Sequence, residues 1–344
     1  MRLQADRLKQ LLSKFEQKEY ESCKVLASKI LEIEPTNVTA LKIVSAIHEN
    51  EGNLKDAYLV SNTIVKLYPD DAESKNNFGN VLKKLGRTQE AKVQYKQALY
   101  LNPNYAEAYF NLGMAHCVEG DYLSGLKFLI KAKEKNNSIK GIHLLIVLLE
   151  AKISRSSSER GKLQQPHFSL AEAIKLYRPV EKELINDLTQ LKAAELRKAP
   201  GPRFGNGVCS PDYRLFDYGP SSVKKAGKEL IELLENKMDS EIIVADSFFN
   251  IFRKNSGIPP HNHLGNIDVN PALNFKSQKY SAVYYLAVGE QDTEEPGYLV
   301  LHCIDEKILP EEGLIVVFPA HVNHSAFYSG SKDRILIGIN FYTL

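Results

Sequence analysis

"FGNVLKKLGRTQEAKVQYKQALYLNP" occupies residues 78–103, and its reading decides the fold of the N-terminal part of the chain. A large residue beside a glycine opens it, alanines stand at 91 and 98, and a proline closes it. Pro35, Pro69 and Pro103 lie 34 residues apart, and Asn137 falls at the next interval. A fixed period of that length marks a supersecondary unit repeated along the chain. Alignment on the prolines gives units at 4–37, 38–71, 72–105 and 106–139. In the third unit Phe78-Gly79, Ala91, Tyr95, Ala98 and Pro103 stand where the fourth has Leu112-Gly113, Gly125, Leu129, Ala132 and Asn137.

Small residues let the two helices of a hairpin approach, large ones fill the hole they leave, and proline ends the second helix. One hairpin cannot cover its own apolar face, so the units must stack. "GIHLLIVLLEAKI" (141–153) is apolar enough to close the stack as a capping helix. These features resemble the tetratricopeptide repeat, best over 72–139. The resemblance implies a groove lined by the first helix of each hairpin, open to an extended protein or peptide. Asn77 and Asn111 occupy the same place in consecutive units, with Asn80 one turn beyond Asn77. Their amides, both donor and acceptor, suit the backbone of a bound peptide; solvated consensus residues are the plainer reading.

Lys and Arg number 44 against 42 Asp and Glu in 344 residues, a balance that argues against nucleic acid or an anionic membrane as partner. Four scattered cysteines form no CxxC pair, and no apolar run approaches the ~20 residues of a membrane span. The N-terminus lacks the apolar core of a signal peptide, so a cytoplasmic protein is expected. No motif specifies an oligomeric state.

Residues 154–166, "SRSSSERGKLQQP", are polar and read as a flexible link. Apolar residues at Leu170, Ile174, Tyr177, Leu184, Leu188 and Leu191 predict a connector helix over 168–198, kinked or split at Pro179. The domains expected are therefore a solenoid with its cap at 1–153, a linker and connector at 154–198, and a β-rich domain at 199–344. After a helix at 221–238, the last domain runs through "EIIVADSFFNIFR", "KYSAVYYLAV", "GYLVLHCI", "GLIVVFPA", "HSAFYS" and "RILIGINFYT". Short strands between Gly, Pro and Asn turns indicate a sandwich or barrel, with a jelly roll the preferred form.

Within these strands "GIPPHNHLGN" (257–266) holds His261 and His263, a Tyr-Tyr strand follows, and "FPAHVNH" presents His324 ten residues before Arg334. In this order, over roughly 200–344, the chain resembles the iron(II)/2-oxoglutarate-dependent oxygenases of the prolyl-hydroxylase type, closest to a bacterial branch with H-x-H in place of H-x-D. The fold class implied is α + β with two domains: an α-solenoid followed by a double-stranded β-helix. The resemblance also implies that His261, His263 and His324 ligate Fe(II). Arg334, with Tyr285, would bind the far carboxylate of 2-oxoglutarate. Three protein ligands leave three positions of octahedral iron open. Alternation on the last strand puts Asn340 on the face of Arg334, toward cofactor or substrate. The activity expected is hydroxylation of a prolyl or asparaginyl residue in a protein or peptide.

His263 stands where a carboxylate is expected. Three readings remain: a three-His site, which is favoured, a two-ligand site completed by water, and a carboxylate from elsewhere such as Asp268. His302 reads as a half-buried strand residue and His321 as a solvated loop residue, with a part in holding substrate the lesser alternative. Cys209 and Cys303 read as small packing residues. Two other functions compete: a three-His cupin-type enzyme acting on a small molecule without 2-oxoglutarate, and a non-catalytic repeat adaptor with a degenerate barrel.

Overall fold

The computed structural model describes residues 2–157, 173–198, 201, 203–271 and 273–344. The chain divides into two compact units, Met1–Ile153 and Ser154–Leu344. From residue 158 onward, the expected flexible link lies outside the described residues.

The first unit is a run of helical hairpins: α1 (Arg2–Glu16) with α2 (Tyr20–Ile33), α3 (Val38–Asn50) with α4 (Leu54–Leu67), α5 (Ala72–Lys84) with α6 (Thr88–Leu101), and α7 (Ala106–Val118) with α8 (Tyr122–Lys135). From α3 onward each hairpin begins 34 residues beyond the one before it, as the prolines require. Gly52, Gly86 and Gly120 turn the chain between paired helices at φ of +80°, +77° and +79°. Only a residue without Cβ adopts that conformation freely, and it ends the first helix by satisfying its last carbonyls. Gly86 N–H donates to Lys83 and Arg87 N–H to Leu82. Inside the third hairpin a Cβ on Gly79 would lie 2.5 Å from the Tyr95 ring, so glycine sets the spacing of α5 and α6. Val65, Phe78, Leu82, Ala91, Tyr95, Leu112 and Ala115 form one cluster, which joins three consecutive hairpins through a shared core. The apolar segment at 141–153 forms α9 (Ile142–Ser157).

The second unit contains β1 (Ile174–Tyr177), α10 (Lys182–Gln190), β2 (Ala194–Glu195), β3 (Gly207–Cys209), α11 (Leu215–Tyr218), α12 (Ser221–Met238), β4 (Ile242–Phe252), β5 (Ser256–His261), β6 (Lys279–Ala287), β7 (Leu299–Leu301), β8 (Glu306–Ile308), β9 (Leu314–Pro319), β10 (His324–Tyr328) and β11 (Arg334–Thr343). Its strands form an antiparallel seven-stranded sheet, β1-β9-β6-β11-β4-β3-β2, and an antiparallel four-stranded sheet, β5-β10-β7-β8.

Alternation divides the large sheet into two chemically distinct faces. Tyr284, Leu286, Ile315, Val317, Ile337 and Ile339 meet Leu184, Leu188, Leu230 and Leu234 of α10 and α12. Tyr285, Leu314, Val316, Phe318 and Leu336 face the other way, into a second cluster with Leu299, Leu301 and Ile308 of the small sheet. Two facing sheets thus enclose an apolar interior, and the helices cover the outside of the larger one.

Residues 174–198 depart from the connector helix expected of them. β1 pairs with β9, β2 pairs with β3, and α10 packs in the outer core, so the segment is an integral part of the sheet unit. The spacing of Ile174, Tyr177, Leu184 and Leu188 suits a helix, but Pro179 interrupts it and strand pairing satisfies the backbone before that point. Arg178, 4% exposed, closes the junction. Its guanidinium bonds Glu181 at 2.8 Å, Glu229 at 2.6 Å and the Tyr284 hydroxyl at 2.9 Å.

Candidate metal centre

His324 opens β10 and His261 ends β5, directly paired across the small sheet. The register between His324 and Ala326 is irregular: two residues of β10 span the length of three in β5, from Ile258 to His261. Pro259 and Pro260 occupy that interval; neither can donate to a ladder, and β5 is an edge strand of its sheet, where proline is tolerated. The strand accordingly runs through both prolines to His261.

His263 lies beyond the strand end, so alternation on a strand does not aim it. Its backbone N–H donates to the Ala320 carbonyl at 2.9 Å, and its own carbonyl accepts from Lys279 Nζ at 2.8 Å. Lys279 also bonds Asp268 at 2.8 Å, and Asp268 in turn accepts from the Gly265 N–H at 2.6 Å and the Tyr342 hydroxyl at 2.5 Å. Asp268 thus organises the loop that carries His263 and is committed to these donors. Among the described residues no carboxylate joins the imidazoles.

The three histidines converge. One ligand atom from each of His261, His263 and His324 lies within 4.8 Å of the others, and the ring centroids are 4.3–5.0 Å apart. The Nδ1 of His261 faces the Pro259 carbonyl at 3.0 Å, and that of His324 faces the Val322 carbonyl at 3.2 Å. A carbonyl only accepts, so Nδ1 carries the proton in both rings and the Nε2 lone pair is left for a ligand. Burial pushes His324 down to about 3, with His261 nearby adding to the shift. Burial, then the neighbouring His324 and His261, holds His263 well below the ordinary imidazole range, and burial lowers His261 as well. All three are therefore neutral at physiological pH, the form that binds a metal ion.

The imidazoles line a cavity of about 140 Å³ between the sheets. Phe248, Phe252, Ile258, Val283, Leu299 and Leu336 supply its apolar wall. Tyr285 and Asn340 line it too. Asn340 accepts from Ser281 Oγ at 2.8 Å and donates to Asp246 at 3.2 Å, which fixes its amide. Tyr284 points the opposite way, to Arg178.

Arg334 does not line this cavity. It sits two residues before Leu336, 2% exposed, and donates from Nε to the Val288 carbonyl at 2.9 Å. Its terminal nitrogens donate to the carbonyls of Gly297, at 2.6 Å, and Pro296. The guanidinium stacks 4.4 Å from the Tyr328 ring centroid, and a Cβ on Gly297 would fall 1.6 Å from it.

The remaining candidates are placed elsewhere. His302 is exposed just past β7 and bonds Ser325 Oγ at 2.9 Å, so it is not the half-buried strand residue expected. His321 stands outside the metal group. Cys209 is buried as a packing residue should be, whereas Cys303 is exposed. In the helical unit Asn111 donates to Asn76 Oδ1 at 3.0 Å, Asn76 to Asn77 Oδ1 at 3.4 Å, and Tyr95 to Asn80 Oδ1 at 2.9 Å. Asn77 and Asn111 are thus linked through the buried Asn76, a contact between consecutive repeats that the sequence pattern does not show.

A family model described as TPR repeat matches residues 65–117. Among solved structures the chain is similar to PilF of Pseudomonas aeruginosa, 21% identical over 44% of this chain and 69% of that one, with a TM-score of 0.42. It is similar to a thermophilic TPR protein of Thermus thermophilus, at 17% identity over 44% and 84% of the two chains and a TM-score of 0.40. It is also similar to an O-GlcNAc transferase mutant of Thermobaculum terrenum, at 25% identity over 38% and 26% and a TM-score of 0.36. TM-scores below 0.5 give these likenesses no weight for function. No curated protein is matched. The chain carries TPR repeats, which suggest a protein-interaction role, and a separate sheet unit in which three histidines are grouped so that they could hold a metal ion.

Proposed function

We propose that the sheet unit is a double-stranded β-helix oxygenase that uses iron(II) and 2-oxoglutarate to hydroxylate a prolyl or asparaginyl residue of a protein or peptide recruited by the repeats. The observation that carries this reading is the convergence of three neutral imidazoles at the wall of an apolar cavity, two of them with Nδ1 tied to a carbonyl. His261, His263 and His324 would hold the ion. The protein contributes a fixed tautomer at His261 and His324, a loop braced by Lys279 and Asp268 at His263, and walls that keep water from the reacting groups.

Bound iron and 2-oxoglutarate would supply the oxidising chemistry for a C–H bond. The donor set fits the metal. For 2-oxoglutarate, Tyr285 and Asn340 lie in the cavity, whereas Arg334, the residue that the resemblance implies for its far carboxylate, lies outside the cavity lining and gives three of its five N–H groups to backbone carbonyls. Succinate release by the full chain with iron(II) and 2-oxoglutarate, absent in His324→Ala, is the expected result. Arg334→Met tests the implied role: iron kept with 2-oxoglutarate lost would support it, and 2-oxoglutarate kept, or iron lost, would assign Arg334 to the fold alone.

A second reading is a three-His metal enzyme that works without 2-oxoglutarate. It is favoured by the all-imidazole donor set and by the engagement of Arg334 with backbone carbonyls. Iron binding with no succinate release, with or without candidate peptides, would select it.

A further inference from the structure

Asn250 is 0% exposed, and neither its Oδ1 nor its Nδ2 has a hydrogen-bond partner. It stands on β4 between Phe248 and Phe252, and all three line the cavity, while Phe249 and Ile251 between them pack in the outer core. An amide taken out of water with no partner destabilises the fold, and the surroundings offer no structural return for it. By contrast, the cavity's other amide on the large sheet, Asn340, is bonded at both ends.

We propose that Asn250 anchors a subsite for a primary carboxamide, the side-chain amide of an asparaginyl or glutaminyl residue entering the cavity. An unpartnered amide presents a donor and an acceptor side by side. A primary carboxamide presents the same two groups in reverse and closes both bonds at once. A carboxylate brings no donor and would leave Oδ1 unpaired. A trans main-chain peptide group holds its N–H and C=O on opposite sides and can close only one bond with the same residue. A cavity of about 140 Å³ suits a side-chain-sized guest; a cavity of about 150 Å³ takes benzene. The cavity's cation, Arg203, donates to the Tyr213 hydroxyl at 3.2 Å and lies over the Tyr213 and Phe248 rings. It lines the same cavity as Asn250 and is the group that a carboxylate guest would seek.

As a statement about substrate, this inference rests on the reading of the cavity as the reaction chamber; as a statement about binding, it stands without the metal. The test is calorimetric or NMR titration of the metal-free full chain with propionamide, butanone, propionate and N-methylacetamide. Butanone has nearly the shape of propionamide but lacks its donor. Propionamide is expected to bind at least about tenfold tighter than each of the others, and that preference should vanish in Asn250→Leu. Equal binding of butanone, tighter binding of propionate or N-methylacetamide, or a preference unchanged in Asn250→Leu would overturn the proposal.

A second measurement separates a ligand-binding from a structural role. Removal of a buried amide without partners should raise the melting temperature of the unliganded chain by about 2–4 °C. A lowered melting temperature would make Asn250 a structural residue and overturn the assignment. Metal binding, assayed separately, decides the oxygenase reading: a chain that prefers propionamide but binds no iron keeps this inference and loses that one.

Discussion

At the residue scale, Lys279 and Asp268 form a pair 8% and 1% exposed at the side chain that holds the His263 loop by its carbonyl. Removing one partner strands the other charge in the interior, which costs about 3–5 kcal/mol, whereas replacing both can be nearly neutral. Lys279→Met should therefore lower stability by about that amount, and Lys279→Met with Asp268→Asn should recover most of it, as read by denaturant unfolding. Metal affinity should stay down by about 10–100-fold in the double variant, because the loop has lost its brace. Wild-type affinity in the double variant would show that His263 needs no such support. The sequence displayed the H-x-H pair and the distal histidine openly. It did not display what aims them: His263 lies past its strand, and the Lys279 contact joins residues 16 positions apart. Asn250 was equally hidden. Alternation puts it on an inner face, but only the three-dimensional surroundings reveal that both its polar atoms lack partners.

At the element scale, the 34-residue period was legible because each hairpin solves the same packing problem with the same residue sizes. Gly79→Ala should cost about 1–3 kcal/mol by forcing Tyr95 out of its place against α5. Tyr95→Phe should cost about 0.5–1.5 kcal/mol through the lost bond to Asn80. Thermal unfolding of the two variants checks the order. The short strand β1 was not legible, since Ile174 and Tyr177 have the spacing of a helix face while Ile174 and Leu176 have that of a strand face, and four residues do not decide between them. Arg178 is the residue that secures it. Arg178→Met releases two carboxylates that are 40% exposed and can rehydrate, so the expected loss is about 1–3 kcal/mol. The hydrogen bond from Arg178 holds the Glu181 carboxyl below its ordinary value of 4.5. A depressed carboxylate stabilises the fold above its unfolded pKa and loses that contribution as pH falls through its folded value. The gap between wild type and Arg178→Met should therefore be widest near neutrality and narrow below about pH 4.5. A gap that widens on acidification would contradict this account of the junction.

At the scale of the whole molecule, two compact units with separate cores predict two unfolding transitions in calorimetry. A metal ion bound by His261, His263 and His324 stabilises only the unit that contains them. At about 100 times its Kd it adds about 2.7 kcal/mol to that unit and nothing to the helical one. A shift of both transitions, or of the helical one alone, would place the metal elsewhere.

The central claim is that three imidazoles of one cavity bind a single ferrous ion. Anaerobic calorimetric titration of the full chain with iron(II), for wild type and His324→Ala side by side, tests it most directly. The account predicts one ion per chain in the wild type and loss of that binding in the variant. An unchanged stoichiometry in His324→Ala, or no binding to the wild type, would contradict it.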